Sequence, residues 1–296
     1  EQVVPWMEQH GYPLRLTTEA SIDLADDPEL LELMYRANFR SVFIGIETPD
    51  ERRATGGALE VVFVPSASVY DGRFANNGWL QEAPDPMTKL TWDNAALVSP
   101  ATARQLGVEH GDVVALSRQG REVAAPVYVQ PGQADGSISI ALGYGREKTG
   151  RVGRNVGANA YRIRTSGAMW FAADVALRKL GRKHQFAVTQ EHHSMEGRPL
   201  VREASISEYR KNPHFAAAPD GHTELFSLYK ETKSEGENQW GMAIDLNSCI
   251  GCNACLVACQ AENNIPIVGK REVIHGREMH WIRMDRYFAG EAEDPR

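Results

Sequence analysis

At 296 residues the chain is too long for one ordinary domain and long enough for two or three, each with its own core. With 42% apolar and 24% charged residues, 26 Gly and 15 Pro, it reads as a globular chain rather than a disordered or fibrous one. A net charge of -7 gives no global basic field for nucleic acid, and no run approaches the roughly 18 to 20 apolar residues of a membrane-spanning helix. The opening EQVVPWMEQHGY lacks an initiating Met and has neither the basic nor the apolar region of a secretory signal, so it says little about the address of the mature protein.

The first fifty or so residues have a β-α-β rhythm: LRLTTEASI, a helix through PELLELMYRANF, then SVFIGIE. Asp27 is placed to cap the helix with Pro28 at its first position, and Leu30, Leu33, Met34 and Ala37 recur on one face. The run from Ser41 to Ile46 reads as a buried parallel strand. One such unit cannot bury both of its faces, and no sister repeats follow. Glu19 and Glu47 fall near the ends of the two strands, where β/α folds place catalytic groups; the alternative is a pair of solvated or salt-bridged acids.

From Leu59 to about Ile140 the grammar is all-β: LEVVFV, AALVS, DVVALSR, EVAAPVYV and SISIAL, separated by turn residues. A short helix interrupts it, with Ser99 as cap, Pro100 at the start and Gly107 at the end. DVVALSR and EVAAPVYV, joined through Gln119 and Gly120, form a hairpin signal, and the whole suggests a small closed barrel. Residues 143–164 form a local basic island with five glycines, six Lys/Arg and one acid. Arg146, Lys148, Arg151 and Arg154 with the backbone amides could receive phosphates or a pyrophosphate; the alternative is a solvated loop, and the spacing fits neither a Walker loop nor a dinucleotide fingerprint. From Gly181 to Trp240 the chain turns polar and irregular, as a linker does.

All four cysteines fall within one stretch, Cys249, Cys252, Cys255 and Cys259, in the pattern C-x2-C-x2-C-x3-C. A disulfide framework scatters cysteines, whereas this spacing lets three thiolates wrap the corners of an iron–sulfur cubane, with the fourth normally serving a second cluster. A zinc knuckle, which favours two pairs separated by a longer loop, and buried free thiols are the alternatives. The adjacent His192 and His193 rarely face one ion together, so a surface or interface role is the simpler reading.

Residues 59–296 resemble the large molybdopterin-oxidoreductase-like iron–sulfur subunit of alternative complex III, a bacterial quinol oxidoreductase. The resemblance rests on DGRFANNGWLQEAPDPMTKLTWDNAALVSP (71–100), VGRNVGANAYRIRTSG (152–167), VTQEHHSMEGRPLVREAS (188–205) and the cysteine motif. It implies a multidomain α/β plus mainly β protein: a double-psi β-barrel like the C-terminal domain of molybdopterin enzymes over 56–180, a linker over 181–240, and the start of a 4Fe–4S ferredoxin-like domain over 241–296. It also implies electron transfer through 4Fe–4S clusters on Cys249, Cys252, Cys255 and Cys259, with a molybdopterin site that is an empty scaffold. The implied partners are an integral membrane quinol-binding subunit and cytochrome c-type subunits, at the membrane on its exported face. Such subunits carry further cysteine groups downstream, which this chain lacks, and Gln260 stands where simple bacterial ferredoxins put Pro.

Residues 1–55 are similar instead to the later barrel strands of radical S-adenosylmethionine enzymes with a B12-binding partner domain, on TTEASIDLADDPELLELMYRANFRSVFIGIETPDE. The C-x3-C-x2-C motif of those enzymes is absent, and the two resemblances meet near Glu51 to Gly57, as in a chimera. Two other readings stay open. One is a molybdopterin-dependent oxidoreductase whose cofactor contacts include Arg146, Lys148, Arg151, Arg154, Asn155 and Asn159; the other is a radical enzyme with an auxiliary C-terminal cluster.

Overall fold

Six strands rich in β-branched and small apolar residues close into a barrel, and that barrel positions everything in the larger of two units. The computed structural model describes residues 3–13, 16–20, 28–44, 59–217, 228–229, 236, 238–292 and 294–295. Contacts divide the chain into Glu1–Thr55 and Gly56–Arg296.

In the smaller unit, helix α1 (Val3–Gln9) buries Val4 and Met7, strand β1 (Leu16–Ala20) pairs parallel with β2 (Phe39–Ile44), and α2 (Pro28–Arg36) lies between them in sequence. This is the expected β-α-β order. Asn38, in the left-handed region at φ 64°, turns the chain from α2 into β2. Arg36 Nη2 donates to Glu8 Oε1 at 2.9 Å. Of the expected apolar face of α2, Ala37 is buried while Leu30 is exposed, because two strands give the helix too little to cover it. Glu19 lies on β1 in register with Phe43. Asp27, Glu47 and the Glu51 to Gly57 junction lie outside the described residues.

The larger unit runs β3 (Leu59–Val64), α3 (Gly78–Glu82), β4 (Leu90–Thr91), β5 (Ala96–Val98), α4 (Pro100–Leu106), β6 (Asp112–Arg118), β7 (Arg121–Val129), β8 (Ser137–Ala141), β9 (Phe171–Lys183) and β10 (Ala187–Val188). The barrel order is β3-β8-β5-β7-β6-β9. Two of its pairs, β3 with β8 and β5 with β7, are parallel, and the rest are antiparallel. Val61, Phe63, Val114, Leu116, Val127, Ile138 and Ile140 fill the interior, alternate residues of each strand pointing inward. Closure leaves no sheet edge in the barrel.

Local chemistry explains the joints. Ser99 accepts from the Thr102 amide to cap α4, and Gly107 ends it at φ 64°. Gln119 and Gly120, both at positive φ, make the tight turn of the β6–β7 hairpin, whose last pair is Arg118 with Arg121. Strand β9 carries no clean alternation in sequence. It forms because its backbone pairs with both β3 and β6 and so completes the ring, and it continues to Lys183, past the point where the polar stretch begins. Beyond the barrel, the described residues include α5 (Ile206–Lys211), α6 (Ala254–Glu262), α7 (Lys270–Ile274) and a short β11–β12 pairing (Gly290–Glu291 with Asp294–Pro295).

The basic island folds back on itself: the Gly145 amide donates to Val156 O at 2.6 Å and the Asn155 amide to Arg146 O at 2.8 Å. It lies against residues 72–76, so closely that a Cβ on Gly153 would come within 2.2 Å of Ala75 O.

Two outcomes test this packing. Ile140→Ala, which opens a cavity in the barrel interior, is expected to cost about 2–5 kcal/mol in denaturant unfolding of the larger unit. Asp112 is buried beneath Lys179 (2.7 Å) and Lys183 (2.9 Å). Burial pushes its pKa up, but the two ammonium groups and the Glu109 amide more than offset this and hold it well below the usual carboxylate range. A depressed folded pKa gives stability that is full above the unfolded value and lost as pH falls toward the folded one. Thermal stability should therefore decline below about pH 4, and Asp112→Asn should flatten that decline while lowering stability at neutral pH.

Candidate metal centre

The cysteine segment begins with an Asx turn. Asp245 accepts from the Asn247 amide at 3.0 Å and the Ser248 hydroxyl at 2.8 Å, and its carbonyl accepts from the Cys249 amide at 3.0 Å. Those side-chain and backbone bonds hold the Asp245 carboxyl below its ordinary pKa. Gly251 (φ 67°) and Asn253 (φ 60°) then bend the loop through left-handed conformations between successive cysteines. The Gly251 amide donates to Cys249 Sγ at 3.4 Å. Cys255 and Cys259 follow one helical turn apart on α6, so they share a face. Asn263 Nδ2 lies 3.6 Å from Cys259 Sγ.

All four thiols are free; Cys249, Cys252 and Cys255 are exposed and Cys259 is half-exposed. Among the described residues no three Cys, His, Asp or Glu side chains converge as a metal site. The donor set is nonetheless all thiol at cubane spacing, with an amide already directed at one sulfur, and in its chemistry it fits an iron–sulfur cluster.

The barrel's connection between β3 and β5 holds this segment in place. Asn253 is 3% exposed and donates from Nδ2 to Pro84 O at 2.8 Å, while Leu256 and Gln260 are buried on the same side of α6. Among the described residues neither polar atom of the Gln260 side chain has a partner, nor has Asn253 Oδ1. A pocket of about 420 Å³ lies beside Cys252 and Asn253, walled by Leu80, Ala83, Val257 and Ala258. Downstream, Trp79 Nε1 donates to Ile265 O at 2.7 Å. Glu82, wholly buried, accepts from the Val268 amide (3.0 Å), the Gly269 amide (2.7 Å) and Trp92 Nε1 (3.0 Å), and so caps α7 from another element. Asp93 sits between His184 Nε2 at 2.5 Å and Lys270 Nζ at 2.6 Å.

The other residues singled out in sequence are dispersed. Arg146 Nη1 donates to Gly72 O at 2.6 Å, tying the island to its neighbouring loop. Lys148, Arg151 and Arg154 are exposed and form no ion pair among the described residues. Asn155 occupies a left-handed turn, and Asn159 caps the 3-10 turn Ala160–Arg162 by accepting from the Tyr161 amide. None of the six lines the pocket beside Cys252. His193 is half-buried: its ring meets Arg286 Nη1 at 3.1 Å, and its carbonyl accepts from the Phe288 amide. Burial, with Arg286 close by, lowers its pKa. His192 is exposed, 3.8 Å from Glu196.

Sequence reading missed Glu82, Asp93, Lys89 and Asn253. For the first three the only signal is polarity within the dense run GWLQEAPDPMTKLTWDN, which is too polar for a barrel strand and too rich in Trp for a free loop, while Asn253 lies inside the cysteine motif itself.

No family model matches the chain. One stretch of 46 residues is 63% identical to an uncharacterized methyltransferase of Synechocystis, over 16% of this chain and 9% of that protein. Another of 39 residues is 62% identical to the iron-sulfur cluster-binding subunit of menaquinone reductase from Nitratidesulfovibrio vulgaris, over 13% of this chain and 14% of that protein. A third match, of 26 residues, is 58% identical to the arsenate respiratory reductase iron-sulfur subunit of Chrysiogenes arsenatis, over 9% of this chain and 87% of that sequence. That stretch of the chain belongs to the iron–sulfur subunits of respiratory reductases. The chain spans only 9% to 14% of the length of the first relatives it matches. Among solved structures, acetylene hydratase from Pelobacter acetylenicus superposes over 58% of this chain and 22% of its own at 15% identity, with a TM-score of 0.32, too slight a likeness to carry an argument.

Glu82→Ala would leave two amides and an indole without an acceptor, at about 1–3 kcal/mol each. Hydrogen exchange should accelerate across residues 265–274 while the barrel strands keep their protection; equal loss in both would show that Glu82 serves the barrel and not the cysteine segment.

Proposed function

We propose that residues 59–296 form an electron-transfer iron–sulfur unit of a multi-subunit respiratory oxidoreductase of the alternative complex III type. One observation carries the reading: Cys249, Cys252, Cys255 and Cys259 stand free at C-x2-C-x2-C-x3-C spacing on a loop and helix seated against the barrel. The names of the relatives, iron-sulfur subunits of menaquinone and arsenate reductases, support it. A 4Fe–4S cluster bound there supplies one-electron transfer. Cys249, Cys252 and Cys255 hold it, and Cys259 is left for a second cluster. The Gly251 amide steadies the Cys249 sulfur, while Asn253 fixes the loop to the barrel.

The barrel, with its parallel β3–β8 and β5–β7 pairs, then serves as a docking scaffold derived from a molybdopterin-type domain. The partners of the unit are an integral membrane quinol-binding subunit and cytochrome c-type subunits, on the exported face of the membrane. Residues 1–55, a separate unit, have a different origin, and we assign to them the methyltransferase likeness. In the molybdopterin-binding alternative Arg146 is already engaged with Gly72, while Lys148, Arg151 and Arg154 stand exposed.

Anaerobic reconstitution of the full chain with iron and sulfide tests the reading. Iron and acid-labile sulfide should be bound in near-equal amounts, a low-temperature EPR signal should grow on reduction, and Cys252→Ser should remove at least half of both. A chain that takes up zinc but no sulfide, or no metal, overturns it.

A further inference from the structure

Two distant stretches of the chain zip together beside the barrel, and one imidazole sits in the seam. Residues 189–194, just past β10, run beside residues 283–288. Gln190 Nε2 donates to Arg286 O at 2.7 Å, and Gln190 Oε1 accepts from the Arg286 amide at 2.9 Å. The Phe288 amide donates to His193 O at 2.8 Å, Arg283 Nη2 donates to Thr189 O, and Ser194 and Phe288 form a parallel bridge. Arg286 stands at the centre. Its Nε donates to Met87 O at 2.9 Å, its guanidinium lies over the Phe288 ring at 4.0 Å, and its Nη1 meets His193 Nδ1 at 3.1 Å.

That last contact works in only one protonation state. A guanidinium has donors and no acceptor, so His193 Nδ1 must keep its lone pair and the ring must be neutral. Protonation would put an N–H against the guanidinium, replacing a hydrogen bond with two like charges in contact. The surroundings do not compensate. Arg286, His110 beside β6, His192 on the same stretch and Lys89 in the β3–β5 connection all disfavour a charged ring, and burial adds to them. Nearby acids are engaged elsewhere or lie in solvent: Glu196 is 3.8 Å from His192 and 3.5 Å from Arg198, Asp285 meets Arg283 at 3.2 Å, and Glu191 is exposed. Of the other basic groups on the cavity that His193 lines, Lys183 is paired with Glu109 and Asp112, and His184 with Asp93. That cavity, of about 320 Å³ and open to solvent, gives protons a route to the ring.

We propose that His193 and Arg286 form an acid-released clasp: the neutral imidazole accepts from Arg286 and fastens residues 283–288 to the stretch beyond β10, and protonation of His193 frees that segment while the barrel stays folded. A folded pKa held below the ordinary imidazole value means that the attachment is complete above that value and is lost as pH falls through the lower one. Release is local, because α7 is held separately by Glu82 and by the Asp93–Lys270 pair. The clasp does not depend on the electron-transfer reading above.

Hydrogen exchange on the full chain, corrected for the intrinsic effect of pH on exchange, tests this. Protection of residues 283–288 should fall about tenfold between about pH 7.5 and about pH 5, while β6 and β7 keep theirs. His193→Gln offers Arg286 a carbonyl acceptor that does not titrate, so its protection should change by no more than about twofold over the same range. In histidine-labelled protein the His193 ring resonance, assigned by its absence from His193→Gln, should titrate at the pH of release. Unchanged protection in the parent overturns the proposal, as does an equal fall in His193→Gln, a simultaneous loss in β6 and β7, or a ring that titrates away from the release. Should Gln fail to hold the segment even at neutral pH, the ring titration decides.

Discussion

The buried carboxylate of Glu82 is the constraint on which the cysteine segment depends. It comes from α3, between two barrel strands, yet its oxygens satisfy the amides of Val268 and Gly269 and the indole of Trp92. Those amides lead into α7, a helix whose own N-cap is Gly269 and offers no side-chain acceptor. An unpaired carboxylate at such depth would cost far more than three charge-assisted bonds return, so the pairing must be complete or absent. Asp93 repeats the logic, binding Lys270 of α7 and His184 beyond β9 with one oxygen.

Residues 78–94 thus have two functions in one stretch of chain. They cross the barrel from β3 to β5, and they present Trp79, Glu82, Pro84 and Asp93 to a segment more than 150 positions away in sequence. Covering the connection in this way is also what allows Glu82, Lys89 and Asp93 to be buried at all. A barrel alone would leave these loops in water, where charged groups need no partner.

That dependence sets what could be read in advance. The barrel strands β3, β6, β7 and β8 and the capped helix α4 were legible because their signals are local: β-branched runs, Ser99 before Pro100, Gly107 after the last turn, and Gln119-Gly120 between two strands. They suggest a small closed barrel, whose ring of six strands is completed by β9. Strand β9 was not legible, since only its pairing with β3 and β6 makes FAADVALRKLGRK extended. The cysteines were legible from spacing alone. Glu82, Asp93 and Lys89 were not, because nothing within several residues of each shows that a distant segment will bury it.

Fixing the cysteine loop through buried groups has a consequence for any charge it carries. The side of the segment facing the barrel, with Asn253, Leu256 and Gln260, is buried, whereas Trp240, Met242, Leu246 and Ile250 on its approach are exposed. The loop is therefore held from its barrel side and exposed on its approach, so any charge it carries has a position that the barrel, through Asn253 and Pro84, has already set.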